Sequence, residues 1–261
     1  MSAVTAPAPI PALDLSGTPS VPMSRLIGVE LRKMADTRAG KWLLIAIGLI
    51  TAAAVVIFFF AAPDDDRVFL NFMGITATPQ GFLLPVLGIL LVCSEWTQRT
   101  ALVTFTLTPI RSRVIVAKIA AALVFGAAAI VLAVLVAALA TLLAGAPDPW
   151  QNIGWDSIGK FTILQATGVL QGLAFGLLFL NTAAAIVTFF VVPIAFNVVA
   201  SIWTAMRDIQ PWVDLGFSQQ PLFLGGDMSG EQWAQLAVGT LIWVVLPVVV
   251  GFWRVLRAEV K

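Results

Sequence analysis

This sequence predicts an all-α membrane protein of six transmembrane helices, N-in and C-in. An amphipathic interfacial helix is expected before the first span and a short cytoplasmic helix between spans two and three. Three observations carry that reading. Hydrophobic residues make up 59% of the 261 and charged residues 11%, against about 45–50% and about 25% in soluble domains. Six apolar stretches recur, at about 41–62, 79–94, 118–144, 161–180, 182–206 and 233–253, and all but the second reach the roughly 20 residues a bilayer-crossing helix needs. Six spans also sort the basic residues by side. Arg25, Arg32, Lys33, Arg38, Lys41, Arg99, Arg111, Arg113, Lys118, Arg254, Arg257 and Lys261 fall inside, against Arg67, Lys160 and Arg207 outside. That asymmetry is what orients membrane proteins. The second stretch, Gly81 to Ser94 at its most apolar, is short enough to be re-entrant. The basic 95–118 loop would then be exported, so the stretch counts as a span.

Composition also excludes functions. A net charge of +1 lacks the basic excess of a nucleic-acid binder, so the lipid bilayer, not nucleic acid, is the expected partner. Histidine and tyrosine are absent and Cys93 is the single cysteine. The commonest general base and neutral metal ligand are therefore missing, and no intrachain disulfide or cysteine cluster can form. No catalytic residue, cofactor site or metal site is expected on this chain.

Residues 1–22 are rich in Ala, Pro, Ser and Thr and read as a flexible tail rather than a signal peptide. Over 23–40, Leu26, Val29/Glu30, Lys33/Met34 and Thr37 recur at helical spacing, with Ser24 at the N-cap position. A basic amphipathic helix of this kind lies in the membrane interface; more simply, it is the inner flank of span one. The six-span domain takes 41–261. Its outer loops carry Asp64, Asp65, Asp66, Asp148, Asp156, Asp208, Asp214, Asp227 and Glu231. Trp42, Trp96 and Trp253 mark the inner boundary, and Trp150, Trp155, Trp203, Trp212 and Trp233 the outer one, as an aromatic belt does. Spans four and five meet in a tight hairpin at Asn181. About 26 residues, Arg207–Gln232, separate spans five and six, with Pro211, Trp212 and Gly225-Gly226 among them. That loop has room for short helices, and Ser229 with Gln232 spells a capping box for the last span.

No Asp, Glu, Lys or Arg falls near the middle of any span. This argues against a proton relay or a charged filter, so the energy for any transport is expected from another chain. Gln165, Gln171, Asn197 and Ser201 are the candidates for lining a pathway, although hydrogen bonding between helices is the stronger reading. Pro85, Pro193 and Pro247 are expected to kink spans two, five and six. Gly168, Gly172 and Gly176 share one helix face and let another backbone come close, a neighbour in the same chain first. Trp243, in mid-span, is read as packing.

The loop 95–118, EWTQRTALVTFTLTPIRSRVIVAK, fits both strand and helix periodicity. Helix is preferred because an isolated strand has no sheet to join. Pro109 ends it, and Arg111, Arg113 and Lys118 hold the inner end of span three. With the Glu30–Lys33 pair and Arg38 before span one, this loop resembles the ABC-2 type permease family, the membrane subunits of ATP-driven exporters. The resembling positions are Glu95-Trp96, Thr100, Pro109, Arg111 and Arg113, and Lys118. Arg99 stands where glycine is frequent in that family. The likeness runs from about residue 23 to 261.

What the resemblance implies is a coupling helix that docks into a separate ATPase subunit, with Glu95, Trp96, Arg99 and Thr100 as coupling residues. ATP and Mg would be bound by that partner, since this chain has no G-x-x-x-x-G-K-[ST] loop. A second permease copy or a related permease, a bacterial cell membrane, and a drug, antibiotic, lipid-linked or peptide cargo are implied likewise. Two readings from other classes stand beside it. A stand-alone secondary transporter or channel would need ion sites in broken helices. A membrane-embedded enzyme would have Asp64, Asp65 and Asp66 as its candidate metal site, where a solvated acidic loop is the stronger reading.

Overall fold

The computed structural model describes residues 20–151, 153–223 and 227–258. The expected tail over 1–19, Gly225-Gly226, Lys261 and the Trp155 side chain lie outside the described residues. Among the described residues the chain is helical, and six helices are long and apolar enough to cross a membrane.

The basic amphipathic segment forms α1 (Met23–Asp36), which starts two residues earlier than a cap at Ser24 predicts: Pro22 occupies the cap position, and its carbonyl accepts from Arg25 and Leu26. The single helix expected over 23–40 is broken. Thr37 is extended, its hydroxyl accepts the Gly40 N–H, and α2 (Arg38–Ala61) begins there. The corner is tight because Gly40 rests on the Met34 backbone, whose carbonyl carbon would lie 2.9 Å from a Cβ at that position.

The second span corrects the sequence reading most. It is a full helix, α3 (Phe69–Thr97, 29 residues), rather than a stretch of 79–94. Thr76, Pro79 and Gln80 dilute its apolar run, but all three are buried in protein. Thr76 donates to the Met73 carbonyl and Gln80 pairs with Gln165, so these polar groups never meet lipid. The antiparallel partner is α6 (Trp155–Phe179). These two helices are 56% and 61% buried in their apolar windows, against 17% for α2 and 11% for α7 (Thr182–Ile202). So α3 and α6 form the axis, and α2 and α7 turn residues such as Phe60 and Ile202 outward. The α6 glycines make the contact. A Cβ on Gly172 would fall inside the Pro85 backbone, one on Gly176 would lie 3.1 Å from Val92 Cβ, and one on Gly168 would reach only Pro85 Cγ at 3.8 Å.

Between α3 and α5 (Arg111–Ala144) lies the seven-residue α4 (Ala101–Leu107), a helix as the sequence argument prefers. Arg99, at the turn into it, has φ 57°. That is the left-handed region, which disfavours L-residues by roughly 1–2 kcal/mol and glycine not at all, and it explains why glycine suits the position. Arg99→Gly is expected to keep or raise the thermal midpoint of the purified protein, and the β-branched Arg99→Val to lower it. Equal midpoints for the two variants would show that residue 99 is not held in that conformation. Leu180 (φ 51°) turns the chain between α6 and α7, and the Asn181 side chain caps α7 by accepting the Ala184 N–H, forming the expected hairpin.

The last span is α10 (Gly230–Thr240), a π-turn over Leu241–Val245, and α11 (Leu246–Arg257). The Ser229–Gln232 capping box is complete. Pro247 has no N–H to give, and the wider turn ahead of it, where Leu246 N–H reaches Leu241, absorbs the lost bond. Span five ends at Ile202, short of the expected 206, and α8 (Thr204–Val213), α9 (Leu215–Ser218) and a 3-10 turn (Gln220–Leu222) follow. This segment does not stay at the end of the bundle. Gln219 donates to Thr167 Oγ1 at 2.7 Å and Trp243 Nε1 donates to the Val213 carbonyl at 2.6 Å. Thr167 lies about 18 Å along α6, at roughly 1.5 Å per residue, so α9 sits level with the middle of the bundle.

Candidate functional site at the basic end

One end of the bundle carries α1, α4 and the C-terminal turn of α11, and with them most of the basic residues; it is called here the basic end. Four charged side chains from three helices close into a square there. Lys33 Nζ lies 2.8 Å from Glu30 Oε1 and 2.5 Å from Glu95 Oε1, and Lys118 Nζ lies 2.7 Å from Glu30 Oε2 and 3.2 Å from Glu95 Oε2. Each lysine touches both glutamates and each glutamate both lysines, so like charges sit only across the diagonals. Glu30, Glu95 and Lys118 are 3–5% exposed. Lys118 also donates to the Leu91 carbonyl at 2.9 Å. Buried charges persist only when paired and hydrogen-bonded in this way.

Local sequence places each member. Glu30 and Lys33 are one turn apart on α1, so both face the same neighbour. Glu95 is in the last turn of α3. Lys118 sits two turns inside α5, because that helix starts at Arg111 rather than near 118. Lys33 lies outside the spanning helices. Its burial works to lower the ammonium pKa, but the Glu30 and Glu95 carboxylates outweigh burial and raise it above its ordinary 10.5.

The square fastens α4. Thr104 Oγ1 donates to Glu95 Oε1 at 3.1 Å and the Thr100 N–H to the Glu95 carbonyl at 2.8 Å. Trp96 packs on Phe105, ring centroids 6.4 Å apart. Of the residues singled out in the loop, the structure thus gathers Glu95, Trp96, Thr100 and Lys118. Arg99 and Pro109 are exposed. Arg111 and Arg113 serve other joints: Arg111 donates to the Val255 and Ala258 carbonyls ending α11 and stacks over Phe105, and Arg113 donates to Val21 ahead of α1. Thr104 is the member sequence reasoning missed; its signal is its spacing of four from Thr100, on the same face of α4. Leu102, Val103 and Leu107 are 50–75% exposed, so α4 shows an apolar side, and a cavity of about 610 Å³ opens between α4 and α1.

The suggested pathway residues scatter. Gln165 is buried against Gln80, with Nε2 2.6 Å from Gln80 Oε1, and Ser201 bonds within its own helix. Gln171 lines a second cavity, of about 370 Å³, between α3, α6 and α7. Asn197 donates to Asp214 Oδ2 at 3.3 Å. Asp214 itself, assigned by sequence to an outer loop, is 5% exposed and faces the same cavity. Trp243 both packs against Phe175 and lines that space. Asp64, Asp65 and Asp66 form an exposed 3-10 turn in which Asp64 pairs with Arg67 at 2.9 Å. Among the described residues no three acidic or cysteine side chains converge as a metal cage.

No model of a known protein family matches this chain, and no curated protein matches it at a significant level.

Proposed function

We propose that this chain is the membrane-spanning permease subunit of an ABC-2 type exporter in a bacterial cell membrane. Its basic end faces the cytoplasm, and it moves an amphiphilic or hydrophobic cargo. A separate ATPase subunit supplies the energy by hydrolysing ATP with Mg, and the pump contains a second permease, identical or related.

The observation that carries this reading is the ionic square with α4 attached to it. A partner seated on the exposed Leu102, Val103 and Leu107 would push on a helix tied through Glu95 to α1, α3 and α5 at once. Ion pairs and hydrogen bonds shielded from water make such a joint stiff. The positive-inside bias supports the orientation.

Purification of the chain from its native membranes tests the proposal. An ATPase with a Walker nucleotide loop is expected to be retained, and the reconstituted complex to move cargo only with ATP. Leu107→Asp changes a side chain 75% exposed, so it is expected to leave folding intact and to abolish ATPase retention. Flux through the isolated chain without ATP would overturn the proposal. The buried Asp214 favours the alternative, a stand-alone gradient-driven transporter, and the same reconstitution decides between them.

A further inference from the structure

The two cavities differ in how their buried charge is balanced. Beside the cavity at the basic end, every buried carboxylate has two lysines. In the cavity between α3, α6 and α7, Asp214 has none: among the described residues no Lys or Arg pairs with it. Its Oδ2 accepts from Asn197 Nδ2 at 3.3 Å and Gln210 Nε2 at 3.2 Å, and its Oδ1 from the Phe217 N–H at 3.3 Å. These neutral donors hold the carboxylate in place without cancelling its charge. Ionisable groups enclosed among spanning helices are costly and mark ligand or ion sites.

The rest of the lining says what would cancel that charge. Phe82 and Phe190 stack at the side of the cavity, centroids 6.4 Å apart and planes 21° from parallel, and Trp243 forms part of the wall. The other polar side chains facing the space include the amides Gln171 and Gln219. Aromatic faces attract cations, more strongly where water is excluded, and a volume of about 370 Å³ lies in the range of small-molecule sites. A hydrated metal ion would gain little from aromatic walls, and an anion would be repelled by Asp214. We infer that this cavity binds a hydrophobic organic cation, with its charge against Asp214 and its apolar body among Phe82, Phe190 and Trp243. This names the cargo class for the pump proposed above. The site itself stands without that reading, since binding needs no ATPase.

The test is equilibrium binding of labelled tetraphenylphosphonium to the purified full-length chain in a neutral maltoside detergent. Tetraphenylborate, an anion of similar size and shape, is the control. Saturable binding that the anion does not displace is expected. Asp214→Asn keeps a residue able to cap α9 and removes the charge; it is expected to weaken binding at least about tenfold. Phe190→Leu is expected to weaken it about threefold or more. Equal binding of the anion, or unchanged affinity in Asp214→Asn, would reduce the cavity to an apolar hole and overturn the inference. If Asp214→Asn does not fold, the cation-over-anion preference of the native chain and the loss in Phe190→Leu decide the matter. Failure to find an ATPase partner would leave these results untouched, and failure here would leave the ATPase proposal standing.

Discussion

Lys118→Met is expected to destabilise the protein by about 3–5 kcal/mol, the usual loss when one partner is removed from a buried ion pair. The remaining Lys33 cannot balance both Glu30 and Glu95, and the Leu91 carbonyl loses its donor as well. The measurement is the thermal or denaturant midpoint of the purified chain in detergent. Adding Glu30→Gln to Lys118→Met is expected to recover much of the loss, because the surviving Lys33–Glu95 pair is balanced again. A double variant whose loss is the sum of the singles would show that the four groups do not act as one. The square also has a pH signature. Lys33 is raised above 10.5 when folded, so its share of the stability is complete below that pH and is lost as pH rises through the higher folded value. Lys33 is 36% exposed along its side chain, so this alkaline loss is expected to be much smaller than the loss in Lys118→Met.

Gly172→Ala is expected to be the most damaging single methyl group that can be added to the α3–α6 contact. Three backbone atoms of Pro85 stand where the Cβ would go, and the backbone of a buried helix cannot step aside as a side chain would. Overpacking costs roughly 1–3 kcal/mol, occasionally more, and alanine's better helix propensity returns about 1. A net loss of about 2 kcal/mol is expected, seen as a lower thermal midpoint and less monodisperse protein. Gly168→Ala, with 3.8 Å of room, is the internal control and is expected to be neutral or slightly stabilising. If the two alanine variants unfold together, close backbone approach is not what these glycines provide.

The parts of the fold that follow local rules were legible in the sequence. The number of spanning helices, the 180–181 hairpin, the capping box at Ser229 and the helical character of 101–107 rest on hydrophobic length, caps and turn residues, all local in the chain. What could not be read rests on long-range burial. The first half of α3 looks too polar to span until Gln80 is seen against Gln165. Asp214 looks like a loop acid until the segment after α8 is seen folded beside α6. In the candidate site, Glu30, Lys33, Glu95 and Lys118 each carried some signal, but their closure into one square depends on how α1 lies across α3 and α5. Nothing in the spacing of residues 30 and 118 reveals that. Ser24 misled because a hydroxyl near a helix start is a good sign only where the chain turns at that residue, and Pro22 makes it turn earlier.

The left-handed Leu180 gives the α6–α7 hairpin a mechanical property. Two helices joined by so short a link cannot slide past each other at that end; they can only pivot. With 21 residues at roughly 1.5 Å each, α7 is a lever about 31 Å long, fixed near its first residue. A tilt of roughly 10° about that point would move its other end about 5 Å and residues near the pivot hardly at all. The wall that α7 gives to the Asp214 cavity, between Phe189 and Phe196, lies at the middle of the lever, while the hydrogen bond between Thr97 and Thr182 ties the fixed end to α3. The same tilt would therefore shift the cavity wall by about half of that, roughly 2–3 Å at about 15 Å from the pivot.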